Sequence, residues 1–299
     1  MKRKVVKLGP TTLVVSIPSK WSKQNNIAAG HEIELTETED GLLLHSGKKE
    51  KQIRQITVNV TEKNMHNLYH ILTHVYRRGF DKVKINGDNI SHQVKKITEE
   101  VLLGFELTER AKDYCVIENI AEPSDEKFET MLRRVFLVIK ETHDKVAESF
   151  KENNFKGQEI EDLKKQNDKF VFFCRRILFA NASQESILKW SLLTELTQSQ
   201  HAYYYLYKHV EKHGFVKDRN ILEIMDGLKE YFHMFYESYY RKDAELVHRL
   251  HMLKDKYQFG RCLELIEGKK NAVIYSHIRE IFRLIQIGTS PLLSLFEEY

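Results

Sequence analysis

"KLGPTTLVVSIPSKW", residues 7–21, packs two β-branched runs, a Gly-Pro break and the start of a polar, basic helix into one short stretch. Pro18 sits where a helix start tolerates proline, because the N–H it lacks would have no intrahelical acceptor there. Working outward, residues 3–8 and 12–17 read as two short strands joined by Gly9-Pro10-Thr11, and Ser19 to Asn25 as one or two helical turns. Asn26 and Gly30 supply turn chemistry, "HEIEL" (31–35) alternates polar and apolar residues, and Asp40-Gly41 marks a hairpin ahead of "LLLHS" (42–46). The result is a ββαββ module of about 46 residues. A module that small buries too little surface to be stable alone, and it has no disulfide or metal to compensate, so it is expected to dimerise.

Charge is concentrated in the same region. Residues 1–30 contain Lys2, Arg3, Lys4, Lys7, Lys20 and Lys23 and neither Asp nor Glu, whereas the whole chain has a net charge of only +4. The remaining residues therefore sum to −2. A confined cationic patch is the footprint of polyanion binding, since each phosphate neutralised releases condensed counterions. Charge alone fits an ordinary lysine-rich surface equally well.

The chain has 299 residues, 41% of them hydrophobic and 30% charged, which leaves room for two domains and a buried core. No apolar run is long enough to span a bilayer, and the N-terminus has no secretory signal pattern, so a cytoplasmic protein without membrane insertion is expected. Cys115, Cys174 and Cys262 are far apart in unlike contexts and are expected to be reduced packing residues.

"RKVVKLGPTTLVVSIPSKWSKQNNIAAGHEIELTETEDGLLL" resembles the AbrB/SpoVT family of swapped-hairpin DNA-binding domains, in the Val-Ser-Ile-Pro strand end, the short polar helix, the Gly30-x-Glu32 turn and the Asp40-Gly41 hairpin. The resemblance implies an interleaved homodimer that grips duplex DNA through Arg3, Lys4, Lys7 and Lys23, and Lys20 of the same basic segment is expected to join them on phosphates. The loop at Pro10-Thr11-Thr12 departs from the simplest members: it is longer and has no arginine.

Residues 47–55, "GKKEKQIRQ", read as a charged linker. "ITVNV", a helix from about Glu62 to Arg78 and "DKVKIN" form a βαβ unit, and a second helix from Ile90 to about Leu103 leads into "FELTER" and "YCVIENI". Residues 56–120 are thus expected to form a small α/β subdomain. From residue 121 to 299 the period is helical, with Ser124 as an N-cap, an apolar "QNDKFVFFCRRILFANA" expected at the centre of a bundle, and further helices over 184–213, 217–241 and 243–287 with a break near Gly268. Two three-helix sets breaking near His213-Gly214 account for this half. The order "LLGFELTERAKDYCVIENI", "LRRVFLVIKETHDKV", "NDKFVFFCRRIL" is similar to archaeal-type proteins that join an AbrB-like head to a PhoU-like phosphate-uptake regulator. This resemblance implies a DNA-binding regulator of phosphate homeostasis, or an adaptor that docks on a transporter subunit or sensor kinase.

PhoU-like bundles often hold metal clusters on repeated acidic motifs. Here only Asp168 stands in such a position in its helix, Lys164 lies four residues earlier, and Thr197 and His201 stand where carboxylates would be expected. Asp168 and His201 are the weak metal candidates, and no cofactor is otherwise indicated. His66, His70 and His74 share a helical stripe, but Leu68, Ile71, Leu72 and Val75 lie opposite, so the stripe is read as a solvated face. Glu148 and Glu152 are read likewise, and "YYYLY" (203–207) as bundle packing. No GxGxxG, Walker, HExxH or nucleophile-elbow motif is present, so no enzyme is expected.

Overall fold

The computed structural model describes residues 2–38, 41–46, 53–121, 125–181 and 183–296. Asp40, the Ser124 cap and linker residues 47–52 lie outside them. The chain divides into two compact units, Met1–Ile53 and Arg54–Tyr299.

The first unit, the head, is built as the spacing of its turns requires. Strands β1 (Val5–Leu8) and β2 (Thr12–Val15) pair antiparallel across a turn in which Gly9 takes φ 85°, a conformation that favours glycine. Helix α1 (Ser19–Gln24) opens after Pro18, and β3 (Glu34–Thr38) pairs antiparallel with β4 (Gly41–His45). The two hairpins are separate two-stranded sheets.

The second unit begins with a four-stranded sheet in the order β5 (Gln55–Asn59), β6 (Lys82–Asn86), β8 (Tyr114–Asn119), β7 (Phe105–Arg110). β5 and β6 are parallel, joined through a 3-10 turn (Met65–Asn67) and α2 (Leu68–Arg77); the remaining pairs are antiparallel, and α3 (Ser91–Val101) connects β6 to β7. Val83 and Ile85 lie opposite Ile117 and Cys115, and all four are buried in one core with Leu68, Leu72 and Val94 of the helices. The next sheet positions, Lys82, Lys84, Tyr114 and Glu118, are polar, with the Lys84 ammonium 4.3 Å from the Tyr114 ring centre.

The helical body follows: α4 (Asp125–Glu152), α5 (Glu159–Ala180), α6 (Gln184–His213), α7 (Arg219–Arg241), α8 (Ala244–Lys254), α9 (Cys262–Glu267) and α10 (Ala272–Leu293). α8 runs into α9 through a π-helical stretch, Asp255–Arg261, so the three form one rod. α4, α5 and α6 pack together, α7 and the α8–α9 rod pack with α10, and the sets meet along α6 with α10 and α4 with α7. Ser183 caps α6 by accepting from the Ser186 N–H, and Gly214 ends that helix at φ 69°. Asp218 caps α7 in the same way.

α5 is apolar on most faces because α2, α3, α4 and α6 all pack against it. Arg176 ties this helix to the sheet layer. Its guanidinium donates to the Tyr76 carbonyl at 2.9 Å, to the Phe80 carbonyl at 2.7 Å and to Asp81 at 2.8 Å, with 4% of the side chain exposed. Among the described residues no helix is long and apolar enough to cross a membrane.

Candidate nucleic-acid interface

Arg3 and Lys4 precede β1, Lys7 lies within it, and Lys20 and Lys23 lie on α1. All five are exposed, and none has a carboxylate in ion-pair range among the described residues. Acidic residues of the head that are described, Glu32, Glu34 and Glu37, belong to the approach to β3 and to β3 itself, so cations and anions are segregated by element. Lys7 stands opposite Leu13 in the hairpin register and shares a face with Val5 and Val15.

The head that carries these cations has no interior among its described residues. No described residue of positions 2–46 is buried. Val5 is 62% exposed, Leu13 69%, Leu35 58% and Leu42 63%. Both faces of the first hairpin are apolar, since Val6 and Val14 face away from Val5 and Val15. A lone two-stranded hairpin is marginal in water, and open strand edges with apolar faces are templates for further pairing. Among its described residues the head thus leaves the apolar positions of both hairpins exposed.

The helical body brings the two weak metal candidates together. His201 Nε2 lies 3.0 Å from Asp168 Oδ1, while Lys164 donates to Asp168 Oδ2 at 2.8 Å. Asp168 is 4% exposed. Burial by itself would raise its carboxyl, but the hydrogen bonds and charges of His201 and Lys164 outweigh that and hold it below its ordinary 3.8. The Lys164 ammonium on one carboxylate oxygen works against a cation there. Among the described residues no group of three or more His, Cys, Asp or Glu is placed to hold a metal.

Most of the other singled-out residues are where helical periodicity puts them, His66 excepted. His66 falls in the 3-10 turn and His70 and His74 on α2, all three exposed, with His74 Nδ1 2.9 Å from an Arg77 nitrogen. Glu148 and Glu152 face solvent. Tyr203 and Tyr207 are buried while Tyr205 is exposed, so the aromatic run spreads around α6. Two buried groups escape sequence reading because their partners are distant in the chain. His143 on α4 pairs with the Tyr203 hydroxyl at 2.9 Å, and burial pushes its imidazole from 6.5 down to about 4. Arg176 is the other; only its lodging in an otherwise apolar stretch hints at a buried role.

Compared with family models, with curated proteins and with solved structures, the chain matches none.

Proposed function

We propose that the chain is a dimeric, cytoplasmic DNA-binding transcriptional regulator linked to phosphate uptake, with an AbrB-like head and a PhoU-like helical body that receives a signal or docks a partner. The reading rests on one observation: the cations of the head are exposed, with no carboxylate in ion-pair range among the described residues, beside hairpins whose apolar positions are themselves exposed. A second copy supplies the missing interior. Two heads knitted together would double the five cations into one face, with Arg3, Lys4, Lys7, Lys20 and Lys23 from each copy neutralising backbone phosphates. Binding of this kind positions a protein on the duplex without reading sequence, so operator choice would come from other contacts or from DNA shape. The body, which shares one core with the sheet layer, would set the state of the head and would take no catalytic role.

Fluorescence anisotropy with a labelled duplex tests the proposal. Affinity is expected to fall steeply with salt. An intact dimer that binds no duplex at low ionic strength refutes it.

The separation of the chain into two compact units favours a second reading, an adaptor whose body docks on a transporter subunit or sensor kinase while the head only dimerises. Deleting residues 1–53 distinguishes the two: full function in the truncated chain favours the adaptor.

A further inference from the structure

A cavity of about 590 Å³ opens at the turn from α5 to α6, lined by Leu178, Phe179, Ser183, Ser186, Ile187 and Trp190. That size is within the range of small organic ligand sites, and its walls are mainly apolar. Its two hydroxyls are already engaged. Ser183 and Ser186 pair with each other at 2.9 Å, and Ser186 also donates to the Asn181 carbonyl at 2.6 Å. The lining therefore favours an apolar body and supplies little to orient it.

A charged group stands one helical turn before the lining residues of α5, against the Trp190 ring. Arg175 precedes Leu178 and Phe179 by three and four residues and so shares their side of α5. Its guanidinium lies 5.2 Å from the Trp190 ring centre, and it donates to the Thr194 hydroxyl at 3.1 Å, one turn beyond Trp190 on α6. Its Nε is buried with no acceptor. Among the described residues no carboxylate lies in ion-pair range of Arg175 or of Arg77, whose guanidinium sits 5.1 Å from the Phe172 ring centre. Burial first, and the Arg77 charge second, bring Arg175 down to about 10. The negative charge it does sense, Asp168, is already engaged by His201 and Lys164. A desolvated cation without a counter-charge is costly, and an incoming anion relieves it.

We infer that this cavity binds an amphipathic organic anion, its apolar body against Ile187, Trp190, Phe179 and Leu178 and its carboxylate or phosphate on Arg175. The inference goes beyond the nucleic-acid reading and needs no DNA.

The chain has two tryptophans, so in a Trp21→Phe background fluorescence reports Trp190 alone. Decanoate and decyl phosphate carry one apolar chain on two kinds of anionic group; decanol carries the chain without charge and acetate the charge without the chain. Titrating the full-length protein, one or both anionic amphiphiles are expected to shift Trp190 emission and to bind at least about tenfold more tightly than decanol, as a charge-assisted hydrogen bond requires. Acetate is expected to be silent. Arg175→Gln should weaken the anions by about tenfold while leaving decanol unchanged. Ile187→Glu, at a position 71% exposed where folding is not at stake, should abolish all binding. Decanol equal to the anions, anion binding indifferent to Arg175→Gln, or a silent Trp190 would each overturn the assignment.

Discussion

His143 shows at the residue scale how burial turns one side chain into a pH-dependent contribution to stability. In the unfolded chain its imidazole takes a proton near 6.5, and in the folded chain not until about 4. Between those values the unfolded state holds the extra proton, so stability rises with pH across the window and is lost as pH falls through it. The shift is equivalent to about 3 kcal/mol at most. Denaturant titrations of the parent and of His143→Leu from pH 7 to pH 4 should give a flatter profile in the variant, and parallel profiles would show that other groups set the slope. Asp168 acts lower: its depressed carboxyl contributes stability above the ordinary 3.8 that is lost as pH falls through the folded value. Arg176 is the residue whose loss costs most by this logic. Arg176→Ala removes the buried guanidinium from Asp81 Oδ1 and from the Tyr76 and Phe80 carbonyls, and should lower unfolding stability by about 3 kcal/mol, seen as a lower denaturant midpoint at unchanged slope.

Close contact between elements decides where the rods may sit. A Cβ added at Gly227 on α7 would meet Tyr257 Cε1 at 2.7 Å, and the Tyr257 ring cannot retreat because it stacks on Phe282 with centroids 4.9 Å apart. Gly227→Ala should therefore destabilise by about 2 kcal/mol, and should be nearly neutral in a Tyr257→Leu background. A thermal-unfolding double-mutant cycle measures that coupling; additive losses would place the strain elsewhere. Local sequence made much of this legible. The two hairpins, α1, the βαβ unit and the long helices all follow from apolar period and turn residues, which act within a few positions. Helix α2 starts later than the pattern indicates because residues 65–67 close as a 3-10 turn. The π-helical stretch at 255–261 leaves no mark in the apolar period, since it is shaped by partners such as Phe282 and Arg279, whose Nε donates to the Gln258 carbonyl at 2.8 Å. The candidate sites divide in the same way. The cations of residues 3–23 are visible as a composition bias, whereas the pairing of Asp168 with His201 and the isolation of Arg175 depend on how α5 and α6 come together.

For the whole molecule, the decisive expectation concerns the head. If two copies interleave, sedimentation should find a dimer, and Leu13→Glu should shift it toward monomer by setting a charge among the apolar strand positions while leaving the unit from Arg54 onward folded. Duplex affinity should fall with that change. Lys7→Gln and Lys23→Gln should each flatten the dependence of log affinity on log salt by about 1 per copy, because each removes roughly one neutralised phosphate. Salt slopes untouched by both substitutions would place the phosphate contacts on other residues.

With no described residue of positions 2–46 shielded in one chain, the hairpins of the head would be held fast only by something that encloses them. Where that visitor is a twin, forming the grip becomes a second-order event. Newly made chains would then stay silent while scarce and engage together once abundant, so the gene dose needed for a response would have a threshold that a self-sufficient module would lack.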